Sequence, residues 1–181
     1  KFDVKGTFFF FLWIAERHQD LVKRIFDAGH EVASHGYSHK LIYNQSVSEF
    51  RDETIKSKKI LEDIIQFPVI GYRAASYSIT NRSLWALDIL NEAGFKYDSS
   101  IFPVYHDRYG IADARQEPHV MTCNNGGKLV EFPLSVYEIY NYKLPVSGGG
   151  YFRLYPYRFT KWALKSLNND EKGFVFYLHP W

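Results

Sequence analysis

Three of the seven histidines, His30, His35 and His39, fall within one stretch of eleven residues, 29–39. His35 and His39 are four apart, a spacing that puts two side chains on one face of a helical turn, so both imidazoles can address a single ion. Residues 31–34 read as a short buried strand entered from a helix that stops at Gly29. His35 therefore stands at the C-terminal end of a strand, the edge where α/β proteins build their sites. The pattern recurs: Arg73 follows an apolar strand at 69–72, Asp98 one at 95–97, and His179 one at 174–178. An i,i+4 histidine pair by itself also occurs on surfaces and in cores, and an arginine or aspartate at a sheet edge can belong to a structural ion pair. Four such groups on one rim form a set that can hold a cation, stabilise developing negative charge and move a proton.

The elements that must carry them alternate. Residues 4–13 form a near-continuous apolar run that suits a strand buried on both faces. Residues 15–28 repeat apolar positions at helical spacing, and Gly29 is the stop. Ser46-Val47-Ser48-Glu49 is a capping box that opens a long helix whose inner face is Val47, Phe50, Thr54, Ser57, Leu61 and Ile64. Thr80 or Asn81 caps the next helix, with Leu84, Leu87 and Leu90 turned inward. Residues 99–125 show no period and read as a long loop. Strands follow at 128–132 and 174–178, with a glycine turn at 147–150 and an amphipathic helix at 157–167 between them. Six strands alternating with helices predict an α/β fold with a parallel sheet, open or closed into a barrel.

Composition narrows the classes. The 181 residues suffice for one domain with a real core, and 46% hydrophobic with 23% charged residues is globular usage. A net charge of +2 without a basic run gives no reason to expect nucleic acid or an anionic membrane as partner. No apolar run reaches the roughly 20 residues that a membrane span needs. The single cysteine, Cys123, excludes an intrachain disulfide. Aromatic residues make up 18% of the chain; most should fill the core, while some could stack on pyranose faces. Lys1 in place of Met, with a hydrophobic strand only a few residues later, reads as a chain cut at its N-terminus.

The segments His35-Gly-Tyr-Ser-His39, Tyr72-Arg73-Ala-Ala-Ser-Tyr77, Tyr97-Asp98-Ser-Ser100 and Tyr177-Leu178-His179-Pro-Trp181 resemble, in order, motifs of the polysaccharide deacetylases (the NodB homology domain, carbohydrate esterase family four). The wording is nearest to the bacterial branch associated with exopolysaccharide and exosortase clusters, which also carries a segment like Gly148-Gly-Gly-Tyr-Phe-Arg153. The resemblance implies one domain over residues 1–181, an irregular (β/α) barrel of about seven parallel strands with the first strand missing. It implies a hydrolase that removes N-acetyl groups from a bacterial polysaccharide, with a divalent metal, Zn²⁺ as the usual ion, held by His35 and His39. His179 would be the general acid and Asp98 the carboxylate that holds its tautomer. The Ser76 N–H would share the oxyanion charge, Tyr77 would line the substrate site, and Leu178 and Trp181 would wall the acetate pocket. Arg73 would pair with the general base.

The sequence departs from the family in two places. The aspartate motif that supplies the base and a third metal ligand is absent, so the chain as it stands is expected to be inactive. Ala75 occupies the place of the usual proline and loosens the turn before Ser76. Asp3 is expected to be a surface turn residue, His18 a surface residue, His30 the partner of a backbone carbonyl, and His106 and His119 solvated loop residues. The alternatives are a non-catalytic carbohydrate-binding protein on the same scaffold and an amidase acting on a small cyclic amide. The particular sugar, the compartment (cytoplasm or cell envelope) and the oligomeric state stay open.

Overall fold

The computed structural model describes residues 3–140, 142–171 and 173–179. Strands β1 (Thr7–Phe10), β2 (Glu31–Ser34), β3 (Gly71–Tyr72), β4 (Tyr97–Asp98), β5 (His119–Thr122) and β6 (Lys128–Glu131) form one sheet in the order β1-β2-β3-β4-β6-β5. Every pairing is parallel except β5 with β6. Helices α1 (Leu12–Arg17), α2 (Gln19–Asp27), α3 (Val47–Ile65) and α4 (Trp85–Glu92) connect the parallel strands. A hairpin, β7 (Val136–Ile139) with β8 (Tyr142–Pro145), precedes α5 (Gly149–Leu154) and α6 (Tyr157–Asn169). The mixed α/β class with a mostly parallel sheet is the expected one. Among the described residues no ladder joins β1 to β5, so closure into a barrel is not seen.

Local chemistry explains the best-defined parts. The Ser46 hydroxyl accepts the Glu49 N–H at 3.1 Å and caps α3. Phe50, Thr54, Ser57, Leu61 and Ile65 recur at helical spacing and are buried against the sheet. Phe50 meets the Tyr72 and Trp85 rings edge-on, at 6.0 and 5.6 Å. Gly29, at φ +80°, ends α2 in the left-handed conformation that glycine adopts without strain.

Several expectations need correcting. The apolar run at 4–13 is not one strand buried on both faces. β1 ends at Phe10, Phe8 is 41% exposed on the sheet edge, and Leu12 already begins α1, where it is buried one turn from Ala15. The region 99–125 is not all loop, because β5 pairs there with β6 through four residues of mixed polarity that carry no strand signal. The predicted strand at 174–178 is reduced to a single parallel bridge between Tyr177 and Gly148. On the helices, Val47 and Leu84 are exposed rather than inward, since each lies at the very start of its helix, short of the sheet. The glycines at 147–150 do not only turn; α5 starts at Gly149.

The sheet register sets out a row. Ser34 pairs with Tyr72, Tyr72 with Asp98, and Asp98 with Glu131. In-register neighbours share one face of the sheet. Ser34 and Tyr72 touch Ser57 and Phe50 of α3, so their face is the one α3 covers. In chemical denaturation, Phe50→Ala should cost about 3–5 kcal/mol through lost burial and a cavity, and Ser46→Ala only about 1 kcal/mol through the lost cap.

Candidate functional site

His35 is held from three sides. Its backbone N–H donates to the Phe10 carbonyl of β1 at 2.8 Å, and the Arg73 N–H donates to the Ser34 carbonyl at 2.9 Å. His35 Nδ1 lies 2.7 Å from the Arg73 carbonyl oxygen. A carbonyl only accepts, so Nδ1 carries the proton and the lone pair of the neutral ring is on Nε2. Burial, first of all, then the nearby His39, Arg73 and His179, lowers the His35 pKa to about 4, so the ring is neutral at pH 7.

His39 faces it. The two imidazoles stand edge-to-face with centroids 5.3 Å apart, and Phe11 packs on His39 at 5.5 Å. The chain makes this return through Gly36 at φ +77° and His39 itself at φ +54°, conformations disfavoured for most side chains. Underneath, the Ser34 hydroxyl meets that of Ser57 at 2.7 Å and accepts the Gly36 N–H at 3.2 Å, which ties the loop to α3.

A neutral histidine with an oriented Nε2 lone pair beside a second histidine is the donor chemistry of a divalent-metal site. Among the described residues no cluster of three or more His, Cys, Asp or Glu is arranged to hold an ion. The two histidines fit part of such a donor set.

Arg73 is buried against the Phe9 ring, its guanidinium carbon 4.1 Å from the centroid. It donates from Nε to the Ser99 carbonyl at 2.9 Å and from Nη2 to the Ser99 hydroxyl at 2.6 Å. No ion pair with a carboxylate forms among the described residues. The turn that follows holds Ser76 and Tyr77 at φ +51° and +54°, two successive strained residues of the kind that cluster at functional sites. Ser76 is exposed there, and Tyr77 packs on Phe102 and Tyr177.

Asp98 lies elsewhere. It is fully buried, and its carboxylate accepts the Ser100 hydroxyl at 2.6 Å and the Ser100 N–H at 3.2 Å and faces Glu131. His179 is not among its partners, because Asp98 belongs to the sheet row next to Tyr72. Burial holds both Asp98 and Glu131 above the usual carboxyl range, Glu131 further because it faces Asp98. Sequence reasoning missed Glu131; the signal available was a glutamate at the end of an apolar strand, in register with Asp98.

His179 comes back to the histidine pair by another route. The Tyr177 N–H donates to the Ser147 carbonyl at 2.6 Å, and the Gly149 N–H to the Tyr177 carbonyl at 3.0 Å. A Cβ on Gly148 would lie 2.2 Å from the Tyr177 carbonyl oxygen, so only glycine lets the two backbones meet. This is the role of the glycine run, which the sequence identified only as a turn. His179 packs edge-on to Tyr177 with ring centroids 5.5 Å apart, and burial followed by the charges of Arg153, His39 and Arg73 lowers its pKa. Arg153 of α5 was also missed as a neighbour of the site. Leu178, predicted as an apolar wall, is 68% exposed, and Trp181 lies outside the described residues.

The remaining histidines mostly keep away from the centre. His18 is exposed between α1 and α2, and His30 accepts the Gly6 N–H at 3.2 Å instead of meeting a carbonyl, because β1 runs alongside it. His106 stacks on Tyr109 at 3.9 Å, and His119 belongs to β5 rather than to a loop. Asp3 is exposed and pairs with Lys5. Gly148→Ala should lower stability by at least about 1–2 kcal/mol, from its positive φ and the backbone collision, and should shift the His179 imidazole signals in NMR. Gly150→Ala, which meets open space, should leave both unchanged.

Comparison with known proteins bears on this geometry. A sequence profile of the family "Polysaccharide deacetylase" matches residues 1–97, and one described as "Domain of unknown function (DUF3473)" matches residues 99–181. The chain is 32% identical over 114 residues to a peptidoglycan deacetylase of Helicobacter pylori, covering 61% of this chain and 38% of that protein. It is 39% identical over 59 residues to a peptidoglycan-N-acetylglucosamine deacetylase of Bacillus cereus, covering 33% of this chain and 22% of that one. The chain thus spans well under half the length of both relatives. A Mycobacterium smegmatis structure assigned to the polysaccharide deacetylases superposes with a TM-score of 0.68 at 24% identity, over 96% of this chain and 58% of that one, a likeness of fold. With more than half of its residues matched by the family profile, the chain belongs to the polysaccharide deacetylase family.

Proposed function

We propose that this protein deacetylates an N-acetylated bacterial polysaccharide, with residues 1–181 acting as one NodB-type domain whose centre includes His35, His39, Arg73, Ser76 and His179. The observation that carries the reading is the His35–Arg73 contact. It fixes the tautomer of one imidazole, leaving its lone pair on Nε2, and a second imidazole stands 5.3 Å from it, centroid to centroid. His35 and His39 would hold a divalent ion, zinc by the chemistry of two neutral nitrogens. Such an ion, when bound, supplies Lewis-acid polarisation of the acetyl carbonyl and makes water more acidic.

The chain's own groups do the rest. The Ser76 N–H, presented by the strained turn after Arg73, donates to the oxygen on which negative charge develops. The protonated form of His179, made more acidic by burial and by neighbouring cationic groups, gives a proton to the leaving sugar amine and regains one from water. Arg73, buried without a carboxylate partner, holds positive charge beside the centre, where it can pair with a general base. Tyr77 and Leu178 would border the acetyl group. The pair Asp98 and His179 is not part of this reading, because Asp98 is engaged with Ser100 and Glu131.

A form of the protein that also carries the family's aspartate motif should bind about one zinc ion, and in it His35→Ala or His39→Ala should each abolish binding by elemental analysis; undiminished zinc in both variants would refute the assignment. His179→Ala should keep the metal and lose about 10²–10⁴-fold in acetate release from N-acetylglucosamine oligomers. Zinc without acetate release from any acetylated glycan would favour a sugar-binding role, and release of ammonia or ring opening from small cyclic amides an amidase.

A further inference from the structure

Nothing described so far explains why a second acid, Glu131, is buried at the centre of the sheet directly beside Asp98. The two are register partners on adjacent parallel strands and so project side by side on one face. Both have no exposure. Glu131 Oε1 accepts the Ile101 N–H at 3.0 Å, while no N–H or O–H donor among the described residues reaches Oε2. Both Asp98 oxygens already accept from Ser100. Two acceptor groups facing one another out of water are satisfied only if a proton lies between them.

The hydrogen-bond directions say where that proton sits and what it controls. The Ser100 hydroxyl donates to Asp98, and it also accepts the Ala74 N–H at 2.7 Å. Ala74 is the first residue after Arg73 and leads into the strained Ser76–Tyr77 turn. We propose that Glu131 is a positioning residue: its protonated carboxyl donates to Asp98, and the chain Glu131–Asp98–Ser100–Ala74 fixes the turn that presents Arg73 and the Ser76 N–H. Apart from Asp98, Arg73 at the end of β3 and His119, the register partner on β5, are the charged and titratable groups that bear on Glu131, while Tyr72 and, through it, Glu53 lie on the Asp98 side. Arg73 spends its recorded hydrogen bonds on Ser99 and forms no ion pair with either acid.

The sign of the pH effect follows. The folded pair keeps a proton that both acids release in the unfolded chain once the pH passes the ordinary carboxyl range, so folding takes up a proton. The pair's contribution to stability then falls as pH rises, by up to about tenfold in the folding constant per pH unit, until the folded pair also ionises, against the opposite slope from His35 and His179.

The test compares Glu131→Gln, Glu131→Ala and Ser100→Ala with the wild type. Gln can donate from its amide to Asp98 and accept from Ile101 without titrating. Glu131→Gln should therefore retain the wild-type Ala74 amide protection in hydrogen exchange while losing the fall in stability with rising pH. Ser100→Ala should keep that pH dependence and raise Ala74 exchange by about tenfold or more, because the link is cut beyond the acid pair. Glu131→Ala should do both; if it does not fold, the other two variants decide. The same pH slope of stability in Glu131→Gln as in the wild type, or unchanged Ala74 exchange in Ser100→Ala, would overturn the proposal. These readouts use no substrate, so they stand or fall separately from the deacetylase reading, on which only the turn's catalytic meaning rests.

Discussion

One hydrogen bond organises the site: the Arg73 carbonyl accepts the Nδ1 proton of His35. It exists because β3 lies parallel beside β2 with Tyr72 opposite Ser34, so that the residues following each strand arrive together. A one-residue slip would turn the His35 side chain to the other face and leave its ring in the wrong tautomer. The register is pinned by the apolar face of α3 and by the Ser34–Ser57 contact, buried on both sides. The orientation of the His35 ring thus rests on strand pairing, with no carboxylate needed.

The sequence made the centre legible where chemistry and period coincided. His35 and His39 could be read because an i,i+4 pair followed a short apolar strand. The α3 helix could be read because its cap and inner face repeat at helical spacing, and Phe50, Thr54, Ser57 and Leu61 indeed lie inward. The strand ends at Arg73 and Asp98 were found, yet the partner of Asp98 was not, since cross-strand register between segments about 30 residues apart leaves no local trace. The same reason hid β5. The segment at 174–178 misled in the opposite sense, because five apolar residues suit a strand equally well whether or not a neighbour is there to pair with it.

The two profile-matched segments meet at the site. His35, His39 and Arg73 come from the first; His179 and Arg153 come from the second and are close enough to influence the first through their charges. Between them an aromatic layer of Tyr77, Phe102, Tyr109 and Tyr177 fills the seam with edge-on and stacked contacts. The second segment therefore brings His179 and Arg153 within electrostatic reach of the residues of the first.

The bridge between Gly148 and Tyr177 has a dynamic consequence. The histidine pair is rooted in a ladder shared by several strands, whereas the segment that leads to His179 joins no strand ladder and is held by single hydrogen bonds to Ser135, Ser147 and Gly149 and by ring packing on Tyr77 and Phe152. A tether of that kind detaches for far less free energy than the sheet needs to come apart. Local opening of that segment would therefore leave the β1–β2–β3 ladder, and His35 with it, in register.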